Sequence, residues 1–126
     1  MINVQKNIPL APMTSFRVGG NAKFFVEIKS LEELKEAVNF AKDKKLGLYV
    51  LGGGTNLLVS DKGFDGLIIK VKMNSACVND NVLEIEAGVP LIKIINMAAQ
   101  AGLSGLELMA GIPGTVGGAV RGNAGA

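Results

Sequence analysis

Histidine and tryptophan are absent from this 126-residue sequence, and cysteine occurs once, as Cys77. Without histidine the chain lacks the commonest general base and metal ligand of proteins, and we expect no metal site. A single cysteine cannot form an internal disulfide, so we interpret Cys77 as a buried or incidental thiol rather than a nucleophile. This cysteine usage is typical of a reducing compartment, and we expect a cytoplasmic location.

The sequence also has little net charge and no long apolar run. The net charge is +2, and the lysines are spread along the chain, whereas nucleic-acid binding requires a clustered basic face. No stretch approaches the roughly 18 uninterrupted apolar residues of a membrane span. The first six residues contain no apolar signal core. We therefore expect no nucleic-acid partner, no membrane span and no export.

Glycine, in contrast, is abundant. The chain holds 17 glycines among 48% hydrophobic residues, so it can fill a core and is not disordered by composition. The glycines lie in a few clusters without a regular period, which indicates several tight backbone sites rather than a low-complexity tract.

The first half has the pattern of a βαβ unit. "AKFFVEI" (residues 22–28) predicts a strand, and Ser30 with Glu33 forms a capping box at the start of a helix that Gly47 should end. "LYVL" (48–51) predicts a short buried strand, and "LIIKVK" (67–72) another strand after a turn at Asp65–Gly66. The predicted buried face of the helix comprises Leu31, Leu34, Val38 and Ala41.

The second half predicts a hairpin followed by a helix. A turn at 79–81 precedes the alternating segment "VLEIEAG" (82–88), which is typical of a strand with one wet face. Pro90 suits the first turn of a helix and Gly102 its end. The predicted buried face of this helix comprises Leu91, Ile94, Ile95 and Ala98.

Two glycine clusters remain, "LGGGTNLLVSD" (51–61) and "GIPGTVGGAVRGNAGA" (111–126). Glycine allows several backbone N–H groups to converge on an anion such as a phosphate. The first cluster fails the dinucleotide fingerprint because its sixth position is Leu57, and the chain has no G-K-[ST] tripeptide for a P-loop. Two plainer interpretations stay open: a tight turn capped by Thr55 and Asn56, and close packing of a small-residue helix in the second cluster.

Together with "TSFRVGG" (14–20), these two motifs resemble the UDP-N-acetylenolpyruvoylglucosamine reductase family, in order and at similar spacing. The resemblance covers the chain from about residue 7 onward. It implies an α+β fold, namely a two-lobed FAD-binding domain of the vanillyl-alcohol-oxidase (PCMH) type that is truncated at its C-terminus. Residues 1–72 would form the first lobe, and residues 73–126 the start of the second.

The resemblance also implies the chemistry. In this family NADPH reduces FAD, and the flavin passes hydride to UDP-N-acetylenolpyruvoylglucosamine to give UDP-N-acetylmuramate for peptidoglycan. The family's catalytic serine, glutamate and arginine would come after residue 126, as would the substrate domain. We therefore assign no catalytic residue to this chain, and we expect that the chain alone binds FAD weakly or not at all and reduces no substrate.

The same resemblance implies which residues bind FAD. The pyrophosphate would lie against Gly52, Gly53, Gly54, Thr55, Asn56 and Leu57. The flavin and the adenosine half would be lined by Gly111, Ile112, Pro113, Gly114, Thr115, Val116, Gly117 and Gly118. The isoalloxazine ring would be approached by Asn123, Ala124 and Gly125. Arg17 is either a structural residue that holds the N-terminal segment on the sheet or a functional residue. We assign no role to Arg121.

Two other functions stay open. One is an oxidase of the same fold, although such enzymes often tether FAD through histidine or cysteine, and Cys77 lies outside both glycine clusters. The other is a non-enzymatic nucleotide-binding module. A flavin absorption spectrum of the purified protein separates this module from the two flavoenzymes.

Overall fold

The computed structural model describes residues 1–125; Ala126, the last residue of the expected second lobe, lies outside the described residues. The chain forms two compact units, Met1–Lys72 and Met73–Ala126. Each unit combines strands with helices, so the predicted α+β class is confirmed. Among the described residues, no helix is both long and apolar enough to cross a membrane.

The first unit is a four-stranded sheet with one long helix. Its elements are β1 (Gln5–Pro9), β2 (Asn21–Ile28), α1 (Leu31–Asp43), β3 (Gly47–Leu51) and β4 (Phe64–Val71). The strand order is β1-β2-β4-β3, with β1 antiparallel to β2, and with β2 and β3 both parallel to β4. The predicted βαβ unit is therefore confirmed as β2-α1-β3, with β4 inserted between its two strands.

Helix α1 is capped by Ser30, as predicted, but the Glu33 carboxylate accepts from the Lys29 amide at 2.6 Å and not from the Ser30 amide of a capping box. Ser30 Oγ accepts a hydrogen bond from the Glu33 amide at 3.2 Å, which satisfies one of the free N–H groups of the first turn. The buried residues of the helix are Ala37 and Ala41, whereas Leu31 is 53% exposed. The predicted apolar face is thus wrong at Leu31, because the stripe that packs on the sheet begins one turn later.

The end of α1 corrects a second prediction. Lys45, not Gly47, adopts the left-handed conformation after the helix, with φ of 52°. Its amide donates to the Lys42 carbonyl at 3.0 Å, and the Leu46 amide donates to the Ala41 carbonyl at 2.8 Å, which together form a Schellman motif. Gly47 instead starts β3.

Strand β3 is not buried as predicted. It forms an edge of the sheet, and Leu48, Tyr49 and Val50 are each about half exposed. A short apolar run has the same composition in a central strand and in an edge strand, so only the strand order decides its burial.

The predicted turn at Asp65–Gly66 is also wrong. Both residues lie inside β4, where Gly66 pairs with Gly47 of β3. A Cβ at Gly66 would lie 2.3 Å from the Gly47 carbonyl oxygen, so this glycine permits close strand packing. The left-handed residue that precedes β4 is Gly63, with φ of 78°.

The connection between β3 and β4 is unusual because it contains no helix. Parallel neighbouring strands need a crossover, which is usually helical, yet residues 52–63 cross without regular structure. Val59 of this loop packs with Leu10, Phe25 and Ile68 in one buried cluster. The loop therefore covers one face of the sheet, and α1 contacts β2, β3 and β4 on the other.

The second unit contains the predicted hairpin and helix. Its elements are β5 (Ala76–Asn79), β6 (Val82–Ile85), α2 (Leu91–Gln100) and the short α3 (Val116–Arg121). Strand β6 is shorter than predicted, and Pro90 caps α2 rather than entering it. Helix α2 ends at Gly102, with φ of 71°, as expected. The buried residues of α2 are the four predicted ones: Leu91, Ile94, Ile95 and Ala98.

Candidate functional site

Position 54 requires glycine because of its own backbone conformation and because of the neighbouring backbone at Met13. Its φ is 70°, and a Cβ at this position would lie 2.0 Å from the Met13 carbonyl oxygen. The Ser15 amide donates to the Gly54 carbonyl at 2.9 Å. This contact holds the glycine loop against the turn at residues 14–17, which belongs to the "TSFRVGG" motif.

The turn itself depends on Thr14. This side chain is 5% exposed, and its hydroxyl oxygen accepts from the Arg17 amide at 3.2 Å. Arg17 has a φ of 55°, which the turn requires. Its guanidinium makes no hydrogen bond or ion pair to any residue in the range 1–125 that the structure describes, so the Arg17 backbone and Thr14 make the structural tie.

A lysine holds the beginning of the glycine loop. Lys70 on β4 donates from Nζ to the carbonyl oxygen of Gly52. Burial, and secondarily the charge of Lys72, lower the pKa of Lys70, while Glu27 opposes the shift. The sequence analysis did not identify Lys70, although a lysine inside the apolar run "LIIKVK" was a signal that could have singled it out.

Most amides of the loop have no acceptor within the described part of the chain, and those of Gly53, Gly54 and Asn56 are among them. Gly53 and Asn56 are exposed, but Gly54 is buried, and buried backbone N–H groups are nearly always paired. Neighbouring unpaired amides are the donors that an anion binds. The loop therefore fits a phosphate-bearing cofactor.

The other loop residues have mixed surroundings. Gly52 and Thr55 are half-buried, and Leu57 packs on the apolar cluster beneath the loop. Two open depressions of about 660 and 440 Å³ also occur in the first unit. Neither is lined by residues 52–57. We give more weight to the loop, because neighbouring unpaired amides can bind an anion specifically and open surface hollows do not.

In the second glycine cluster, the chain's own structure accounts for two positions. Gly114 has a φ of 115°, which favours glycine, and its carbonyl accepts from the Leu91 amide at 2.9 Å. The Gly117 amide donates to the Ala87 carbonyl at 2.9 Å, and a Cβ on Gly117 would lie 2.7 Å from the Ala87 Cβ. The close-packing interpretation therefore holds for Gly117, and the backbone conformation explains Gly114.

Packing does not account for the exposed glycines of the cluster. A Cβ on Gly111 or Gly125 would meet no described atom within 4 Å, and one on Gly118 would meet only the Thr115 hydroxyl, at 3.3 Å. That hydroxyl accepts from the Gly118 amide and caps α3. These positions are open to a ligand, and their predicted role stays a prediction.

The remaining predicted residues have local structural roles. Ile112 packs against the core of the second unit, and Pro113 is exposed. Asn123 adopts a φ of 48° at the end of α3, where the Ala124 amide donates to the Ala119 carbonyl at 2.9 Å. This contact is a helix C-cap, and it does not test an approach to the flavin.

Acidic side chains and the thiol show no catalytic arrangement. Glu86 accepts from the Ser75 amide at 2.7 Å, and Glu107 from the Gly105 amide at 2.8 Å. Hydrogen bonds from the backbone of Glu107 itself and of Gly105 lower the pKa of the Glu107 carboxyl. Cys77 is exposed, so of its two interpretations, a buried or an incidental thiol, the buried one is excluded. Residues 1–125 contain no group of three or more His, Cys, Asp or Glu suited to a metal.

Comparisons with known proteins agree with this geometry. A family model described as "FAD binding domain" matches residues 22–126. The chain is 46% identical over 126 residues to a UDP-N-acetylenolpyruvoylglucosamine reductase of Caldicellulosiruptor bescii, covering 99% of this chain and 40% of that protein. It is 43% identical over 128 residues to the reductase of Synechococcus sp. (strain RCC307), covering 99% and 42%.

A solved structure is similar as well. The crystal structure of UDP-N-acetylenolpyruvylglucosamine reductase (MurB) from Thermus caldophilus matches with a TM-score of 0.82 and 36% identity, covering 100% of this chain and 44% of that one. The chain thus spans about two fifths of the length of the relatives it matches. The resemblance stated from the three sequence motifs is confirmed.

Proposed function

Because the chain belongs to the FAD-binding-domain family, whose model matches residues 22–126, we propose that it forms the FAD-binding part of a UDP-N-acetylenolpyruvoylglucosamine reductase. When bound, FAD supplies hydride transfer from NADPH to the enolpyruvyl double bond of the UDP-sugar, which yields UDP-N-acetylmuramate. The chain spans about two fifths of the relatives' length. The reductase activity, the UDP-sugar substrate and a role in cytoplasmic peptidoglycan synthesis are therefore proposed for the protein to which this segment belongs.

The observation that carries the proposal is the set of unpaired amides at Gly53, Gly54 and Asn56. They follow β3 directly, at the carboxyl end of a parallel strand, where α/β sheets commonly bind ligands. The carbonyls of Gly52 and Gly54 are already held by Lys70 and Ser15. A loop fixed in this way loses little conformational entropy when it binds, which supports its assignment to the FAD pyrophosphate.

In the second unit we propose that the open glycines Gly111, Gly118 and Gly125 approach the cofactor. Their lack of close neighbours within the unit supports this assignment. The two compact units would then correspond to the two lobes of the FAD-binding domain, 1–72 and 73–126. The residues of this unit assigned by resemblance are Gly111, Ile112, Pro113, Gly114, Thr115, Gly117, Gly118, Asn123, Ala124 and Gly125.

The direct test is the substitution Gly53→Val. Gly53 is exposed and lies outside the left-handed region of φ, so valine should leave the fold intact while its side chain occupies the space of a phosphate oxygen. We expect the variant to lose FAD binding, as measured by flavin fluorescence titration, with an unchanged circular dichroism spectrum.

The matched control is Gly47→Val, six residues earlier, where the nearest atom to a new Cβ is Phe64 Cζ at 3.8 Å. It should bind FAD like the wild type. Asn56→Ala should weaken binding about tenfold to a hundredfold, the cost of one hydrogen bond to a charged group. A folded Gly53→Val protein with wild-type FAD affinity would refute the loop assignment.

The proposed activity needs a separate experiment. The chain is joined to the remaining C-terminal part of the Caldicellulosiruptor bescii relative, and NADPH oxidation is followed with UDP-N-acetylenolpyruvoylglucosamine. We expect the chimera to be yellow and active, and the 126-residue chain to be inactive alone. A chimera that holds FAD but never oxidises NADPH in the presence of the substrate would contradict the proposed reaction.

A further inference from the structure

Lys70 lies where the sheet meets the glycine loop. It is opposite Leu51, the last residue of β3, and alternation along β4 places it on the same face as Ile68, which packs under the loop. From there its ammonium group reaches the carbonyl oxygen of Gly52. In the proposed function this contact serves only to hold the loop in place.

The contact fixes more than a carbonyl group. A trans peptide unit is planar, and its C=O and N–H bonds point in opposite directions. No peptide bond described in this chain is cis. Because the Gly52 carbonyl points to Lys70, the N–H of Gly53 in the same peptide unit points away from Lys70. That N–H is one of the unpaired amides of the loop.

We propose that Lys70 is a positioning residue: it orients the Gly52–Gly53 peptide so that the Gly53 amide faces the bound pyrophosphate. The inference rests on the proposed FAD site but assigns a residue outside the glycine motif. A cation on the carbonyl also polarises the peptide group, which strengthens the N–H as a donor. Lys70 therefore acts on the phosphate through the backbone and not by direct contact.

The surroundings of Lys70 keep this contact in place. The side chain is partly buried, and a desolvated ammonium group needs an acceptor, which the Gly52 carbonyl provides. The two other charged groups that act on it are Glu27, opposite on β2, and Lys72, two residues further along. Lys72 is exposed and lies 4.0 Å from Glu27, so it offers a neighbouring lysine with no contact to the loop.

The test compares Lys70→Met, Lys70→Arg and the matched control Lys72→Met in the chimera with the C-terminal part of the Caldicellulosiruptor bescii relative. Both methionine variants lose one positive charge, so a difference between them reports the loop contact. We expect Lys70→Met to weaken FAD binding about tenfold to a hundredfold, Lys70→Arg to recover most of it, and Lys72→Met to match the wild type. Wild-type affinity in Lys70→Met, or an equal loss in Lys72→Met, would overturn the proposal.

A second measurement needs no cofactor. The ¹⁵N order parameter of the Gly53 amide should be that of rigid backbone, about 0.85, in the wild type and in Lys72→Met, and should fall below about 0.6 in Lys70→Met. An unchanged value in Lys70→Met would refute the positioning role. If the wild-type chimera failed to bind FAD, the proposed function would fail by that result, whereas the order parameter measured on the 126-residue chain would still decide the role of Lys70.

Discussion

Replacing Gly54 with alanine should strongly destabilise the first unit. The new Cβ would lie 2.0 Å from the Met13 carbonyl oxygen and 3.1 Å from the Thr14 Cα, so backbone must move. The φ of 70° adds about 1–2 kcal/mol for a non-glycine residue. Overpacking costs about 1–3 kcal/mol more, which gives a loss of about 2–5 kcal/mol in the free energy of unfolding.

Three further glycines separate the two causes. Gly102→Ala introduces only the unfavourable φ, because no described atom lies within 4 Å of its Cβ. Gly66→Ala introduces only the clash, at 2.3 Å from the Gly47 carbonyl oxygen. Gly47→Ala introduces neither. Urea denaturation followed by far-UV circular dichroism should rank Gly54→Ala as least stable and Gly47→Ala as nearest to wild type. A Gly54→Ala protein as stable as Gly47→Ala would refute the argument.

Two other substitutions test local features. Lys45→Gly should raise the free energy of unfolding by about 0.5–1 kcal/mol, because glycine removes the left-handed strain but adds chain entropy; a lower melting temperature would contradict this. The folded pKa of Glu107 is lowered from its ordinary 4.5, so its stabilisation is present above that value and is lost as pH falls through the lowered pKa. Glu107→Gln should therefore be less stable than wild type at pH 7 and equally stable at about pH 2, as measured by urea unfolding. If Glu107→Gln remained less stable than the wild type at about pH 2, the loss of stability would not come from the ionised carboxylate.

Local patterns predicted the features whose causes are local. Ser30 and Glu33 lie within one helical turn, so the sequence predicted the start of α1. The buried residues of α2 repeat at helical spacing, so the sequence predicted them as well. The burial of β3 was not, since Tyr49 is exposed by the strand order and not by its neighbours in the chain. Lys45 could not be preferred over Gly47 as the helix end, because lysine adopts the left-handed region only where surrounding contacts impose it.

In the candidate site, too, the sequence predicted the features with local causes and not those that depend on distant contacts. Three consecutive glycines were enough to predict a tight backbone site at residues 52–54. The sequence could not show that Gly54 is the one of the three that the Met13 backbone requires to be glycine. The sequence analysis missed Lys70 because its partner is a main-chain carbonyl 18 positions away. Every residue has a carbonyl, so a sequence pattern does not show which one a side chain contacts.

The support of the glycine loop by the N-terminal segment affects where a domain boundary should be drawn. The family match begins at residue 22. Leu10, which packs beneath the loop, and Ser15, which holds Gly54, both come earlier. A protein cloned from residue 22 would keep every glycine of the loop and lose the surface that shapes it. The boundary that sequence similarity marks is therefore not the boundary at which this unit can be cut.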